Sequence, residues 1–175
     1  MVLSNGDLVE WKEIIDLLRP INIANCNNLF VTLGVCNGRY LYKGVNSYEK
    51  SPYSGYISAS KSVSSKEIYE NFSELFIDLI ENGNIVKSYL KLDKKGTNFY
   101  YKDSKTTFED SFNSIIERFN NDADFKKRYL RSCVNQMEKE TGNRLNERES
   151  ELIMKKVLID LYDKQKKSFE FQNCE

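Results

Sequence analysis

Apolar residues recur at helical spacing over Leu8, Trp11, Ile14, Ile15, Leu17 and Leu18, with Lys12, Glu13 and Asp16 between them, which predicts a helix from about Val9 to Arg19. Ser4-Asn5-Gly6-Asp7 is the turn cluster before it. Pro20 is expected to close or redirect this helix, because the residue before a proline is pushed out of the helical region. Residues 21–26 then read as a further short helical turn. The rhythm changes at Leu29 to Val35, a continuous apolar run with β-branched and aromatic residues, bounded by Asn27-Asn28 and Asn37-Gly38. That is the pattern of a strand covered on both faces. Arg39-Tyr40-Leu41-Tyr42 follows as the first turn of a short helix, and Tyr53 to Ala59 reads as a second, shorter strand.

Ser64 or Ser65 is a credible N-cap for the next segment, with Glu67 reaching the first turn. Ile68, Phe72, Leu75, Phe76, Leu79 and Ile80 mark one face of that long helix, and Asn82-Gly83 ends it. A further helix is expected from about Asn84 to Leu92, and Asn98 to Tyr101 reads as an edge strand. After Lys105 the pattern becomes helical, with faces lined by Phe108, Phe112, Ile115, Ile116 and Phe119, then Phe125, Tyr129, Leu130, Cys133, Val134 and Met137. Thr141-Gly142-Asn143 breaks the pattern before Leu152, Ile153, Val157, Leu158, Leu161 and Tyr162 line a third helix, and the tail from Ser168 to Glu175 has little in its sequence to hold it down. The expected fold class is therefore α/β. Residues 1–104 should hold a small, predominantly parallel sheet flanked by helices, and residues 105–175 a C-terminal helical extension packed on it.

Charge narrows the partners. Lys+Arg and Asp+Glu balance at 26 each among 175 residues, so no bulk electrostatic attraction to nucleic acid or to an anionic membrane is expected. No apolar run approaches the roughly 20 residues of a membrane span. Asp7 and Glu10 replace the basic start of a signal peptide, and a cytoplasmic location is the expectation. Cys26, Cys36, Cys133 and Cys174 are irregularly spaced without a C-x-x-C pair, and the chain contains no histidine. Reduced thiols are expected, with no metal site and no cofactor. The surplus apolar faces of the helical extension suit a protein partner or a homo-oligomer.

Cys36 carries the strongest chemical signal, since it leaves the end of the apolar strand at a tight turn. A helix starting just after that turn would favour its thiolate, and N–H groups around Gly38 would serve an oxyanion. An inert, buried cysteine at a strand end is the alternative reading. Arg39, Tyr40, Tyr56, Ser58 and Ser60 lie near the same expected rim and are candidates for a ligand or partner surface. No P-loop, dinucleotide fingerprint, paired-carboxylate signature or RNA-binding motif occurs in the sequence.

The order of these elements, a helix, an apolar strand ending in Cys36-Asn37-Gly38, a strand Gly55 to Ala59 and an aromatic helix over Tyr69 to Phe76, resembles the second half of a caspase-like fold over about residues 8 to 92. It looks most similar to the CHAT-type bacterial cysteine peptidases. The resemblance implies that Cys36 stands at the nucleophile position, Gly38 in the turn after it, and Ser58 to Ser60 in the loop beyond the following strand. The family's catalytic histidine lies upstream of the matching segment and has no counterpart in this chain. The expectation is a non-catalytic, caspase-like interaction or regulatory protein. The alternative is a cysteine peptidase fragment or subunit whose histidine comes from another chain, and a small-ligand sensor is the third option.

Overall fold

The computed structural model describes residues 7–142 and 146–171, and for parts of the last two helices the backbone alone. The elements run α1 (Trp11–Ala24), β1 (Phe30–Leu33), a 3-10 helix (Gly38–Gly44), β2 (Gly55–Ala59), α2 (Ser65–Asn82), α3 (Ile85–Lys94), β3 (Phe99–Asp103), α4 (Ser104–Asn121), α5 (Ala123–Thr141) and α6 (Glu147–Glu170). The fold is α/β and mostly helical, around a mixed sheet of order β1-β2-β3. β1 pairs parallel to β2, but β3 runs antiparallel to it. The expected predominantly parallel sheet is corrected on this point: α3 and a short turn return the chain beside β2 in the opposite direction.

Short-range signals set several of the helix ends. Ser64 caps α2 in a reciprocal box with Glu67, whose carboxylate accepts the Ser64 N–H at 2.8 Å, and Gly83 closes the helix with a left-handed φ of 68°. α1 departs from expectation by continuing through Pro20 to Ala24. Proline removes one backbone bond within the helix. The turn beyond it is held instead by Asn22, which is fully buried and bonds to Asn27, Ser51 and Leu29.

Residue alternation divides the core. Val31, Leu33 and Tyr56 face α1 and pack with Ile15, Leu41 and Tyr53, while Ile57, Ala59 and Phe99 face α2 and α3 and pack with Leu75 and Tyr89. The strand covered on both faces is β2, buried along its whole length. β1 is a four-residue edge strand with Phe30 exposed, because no described strand pairs with its outer side. In the third cluster Phe108, Phe112 and Phe169 gather between α4 and α6 and reach Val45. Ser51 donates its N–H to Phe169 O at 3.0 Å, and Asn27 its side-chain amide to Glu170 O at 2.7 Å. The tail is thus anchored as far as Phe171, with Phe169 fully buried, which corrects the expectation of a loose end; residues 172–175 lie outside the described residues.

A second correction concerns the thiols. Cys26 is disulfide-bonded, whereas Cys36 is free. Spacing along the sequence did not reveal this, because a disulfide depends on which distant segments the fold brings together. The Cys133 side chain and Cys174 lie outside the described residues.

Candidate functional site

Cys36 stands beyond the carboxyl end of β1, three residues after Leu33 and just past the bend at Val35, and is exposed. Its sulfur donates to Val63 O at 3.6 Å, a backbone acceptor from the loop that follows β2. Asn37 adopts a left-handed φ of 56° and turns the chain into the 3-10 helix. Both N–H groups after Cys36 are already engaged: Asn37 N donates to Lys61 O and Gly38 N to Val35 O, each at 3.3 Å. The helix beyond is a single 3-10 segment of seven residues.

The other candidate residues separate into two groups. Gly38, Tyr56 and Ser58 are buried and knit the turn to the sheet. A Cβ on Gly38 would lie 1.8 Å from Ser58 Oγ, so only glycine lets the turn approach β2 this closely. Ser58 Oγ donates to Leu33 O at 3.0 Å, and the Tyr56 hydroxyl to Arg39 O at 2.6 Å. Burial pushes the Tyr56 phenol well above its ordinary range. Ser60, half-buried, directs both its N–H and its hydroxyl at Asn98 O, each at 2.8 Å. These hydroxyls are spent on structure.

Arg39 and Tyr40 remain on the surface. The Arg39 guanidinium lies 5.5 Å from the centre of the Tyr40 ring and 5.8 Å from that of Tyr100, and Lys43 Nζ lies 4.5 Å from the Tyr40 ring. Arg39, Tyr40 and Lys43 thus form an exposed cationic, aromatic patch on the 3-10 helix, while the Cys36 sulfur points to Val63. Reading the sequence alone missed Val63 and Asn98, whose backbone carbonyls accept from the Cys36 sulfur and from Ser60, and it did not show that the Lys61 carbonyl holds the Asn37 N–H. The Asn37-Gly38 pair was the one available signal, and it pointed to a turn without naming its partners.

Three of the clefts formed by described residues lie away from Cys36. One of about 630 Å³ separates Tyr42 to Tyr48 from Asp110, Ser114 and Glu117 on α4. Another of about 570 Å³ sits at the opposite rim of the sheet, between Asn28, Asp103, Lys105 and Glu170. The third, about 450 Å³, runs beside Phe30, Thr32, Phe76, Leu79 and Ile85. Among the described residues no three His, Cys, Asp or Glu side chains gather as a metal site requires, and no helix is long and apolar enough to cross a membrane. No protein-family model matches this chain, and no curated protein or solved structure shows significant similarity to it.

Proposed function

We propose that this chain is a non-catalytic, caspase-like interaction module in which the Cys36 turn is a structural joint of the rim. The observation that carries this reading is the engagement of the turn: Asn37 N and Gly38 N donate to Lys61 O and Val35 O, and Cys36 Sγ meets a backbone carbonyl. Acyl transfer needs a base to take the thiol proton and donors aimed at the developing oxyanion. With no histidine in the sequence the usual partner of a cysteine nucleophile is missing, and general base catalysis is worth about 10² to 10⁴ in rate. The exposed Arg39, Tyr40 and Lys43 face is the kind of surface that contacts a protein partner, since arginine and tyrosine favour such contacts.

Digestion of a diverse peptide mixture by the wild-type chain and by Cys36→Ala, followed by mass spectrometry, tests the reading. Identical peptide maps are expected. Cleavage that the substitution abolishes would overturn it. The exposure of Cys36 favours one further reading, a peptidase subunit whose histidine arrives on another chain. That reading requires a histidine-bearing partner whose addition brings cleavage to the wild type and not to Cys36→Ala.

A further inference from the structure

Among the described residues no strand pairs with the outer side of β1, and the register tells which groups that edge exposes. Ser60 N donates to Asn98 O and Ser104 N to Ser54 O, so the even-numbered residues of β2 turn their backbone groups to β3. Its odd residues turn to β1, where Val31 and Leu33 answer them through the parallel register, and just before β2 Ser54 N donates to Leu29 O at 2.8 Å. The N–H and C=O of Phe30 and Thr32 therefore point to the open edge. Edge strands that remain single are usually protected by lysine, proline or a bulge. Leu29 to Leu33 contains no charge and no proline.

The layer above this edge overhangs it. Asn71 bonds Thr97 and Asp78 pairs with Lys91, so one flank of α2 faces the α3 side. The opposite flank carries Tyr69, Phe76 and Ile80, which are 72%, 40% and 84% exposed, with Ile77 beside them at 60%. Phe76 and Leu79 join Phe30 and Thr32 in lining the groove of about 450 Å³ along the edge. On the other layer, Leu17 and Ile21 of α1 are exposed at 71% and 48%, on the flank away from the Arg19–Glu49 pair. At about 200 Å² for a large side chain, Tyr69, Phe76, Ile77, Ile80 and Phe30 leave roughly 600 Å² uncovered, close to the ~800 Å² that each partner buries in a stable complex.

We propose that the open edge of β1 is a self-association site, where two copies of this chain pair their β1 strands antiparallel about a two-fold axis through Val31. In that register Phe30 of each copy lies opposite Thr32 of the other, and the outward N–H and C=O groups of these residues form the intermolecular ladder. A two-fold axis places each apolar layer against its own copy, so the α2 flanks meet over one face of a continuous six-stranded sheet. An uncharged strand flanked by apolar surface on both faces is what the edge accepts, and β1 itself is such a strand. The inference does not depend on whether Cys36 is chemically active.

The test is sedimentation of the full chain up to about 100 µM, above the micromolar limit for interfaces of this size, together with site-resolved hydrogen exchange. A dimer is expected, with the Phe30 and Thr32 amides protected in proportion to dimer population. Ile80→Glu, on an 84% exposed position, should weaken the dimer at least tenfold by setting two carboxylates against an apolar seam. Thr32→Pro should do the same by removing an outward N–H that no described residue accepts. A monomer throughout the range overturns the proposal, and so does a dimer whose Phe30 and Thr32 amides exchange freely or which both variants leave intact. Heteromeric capture of the edge by an unrelated strand, with the isolated chain monomeric, counts against it equally.

Discussion

Asn22→Ala should be among the most damaging substitutions of a polar residue in the α/β part. Asn22 is fully buried, and its side-chain amide donates to Ser51 O at 2.8 Å and to Asn27 Oδ1 at 2.9 Å while its oxygen accepts the Leu29 N–H at 3.0 Å. It thus ties the end of α1 to the bend that launches β1 and to the loop before β2. Each such bond contributes about 1 kcal/mol net, and a buried partner left unpaired costs about 1–3 kcal/mol. Ser51 is itself fully buried, so its carbonyl gains no solvent on truncation, whereas Leu29 is half-buried and recovers part of its loss from water. The expected destabilisation is about 2–5 kcal/mol, a large share of the ~5–15 kcal/mol of a typical domain. Urea denaturation should show a lower midpoint with an unchanged slope. Asn22→Asp keeps the acceptor for Leu29 but sets a carboxylate oxygen against Ser51 O, and should be no less damaging at neutral pH. A loss below about 1 kcal/mol for Asn22→Ala would refute the reasoning, because the three bonds would then be no better than hydration.

Gly38→Ala should destabilise by about 1–3 kcal/mol, since its Cβ would lie 1.8 Å from the Oγ of buried Ser58, and the cost should shrink in a Ser58→Gly background. Strictly additive urea midpoints for the two changes would contradict this contact. Burial raises the Glu170 carboxyl above its ordinary value of 4.5, against the attraction of Lys166 and Lys105 and with the repulsion of Glu109 and Asp103. Its Oε1 finds no hydrogen-bond partner among the described residues. A group that holds its proton more tightly when folded loses stability as pH rises from its unfolded pKa through its folded one. Glu170→Gln should therefore raise Tm at neutral pH, and the advantage should vanish as pH falls below 4.5; an advantage constant across that range would exclude carboxylate burial as its cause.

Local grammar made the helix ends most legible. Ser64 with Glu67, and Gly83 after Asn82, are signals carried within a few residues, and the structure places the α2 caps there. The apolar run over Leu29 to Val35 also yields a strand, though its place in the sheet depends on partners far along the chain. Whether that strand is central or at an edge depends on what pairs with its outer side, which a hydrophobic pattern cannot encode. The same limit applies to β3, whose antiparallel course follows from the turn after α3. Pro20 and Asn22 show tertiary bonds overriding a local stop signal: three bonds to Asn22 hold a helical turn that proline alone would not favour.

The site was legible only in outline. A cysteine at a strand end followed from the apolar run and the Asn37-Gly38 turn, but its exposure, set by the packing of distant segments, did not. The burial of Tyr56 and Ser58 did not, because their hydroxyls are satisfied by Arg39 O and Leu33 O, acceptors that every residue carries and no sequence distinguishes. The docking of Phe169 and Phe171 near the chain's end has the same origin, since two aromatics in a charged tail show their value only once Phe108 and Ser51 are seen beside them.

The account rests on the fold leaving Cys36 without assistance, and the most direct measurement compares its alkylation rate in the folded chain with that of the same thiol in the denatured chain at one pH. The account predicts a folded rate equal to or below the denatured one, because no described side chain takes its proton and the neighbouring N–H groups are engaged. A folded rate many times the denatured one would contradict it and make the Cys36 turn a reaction centre.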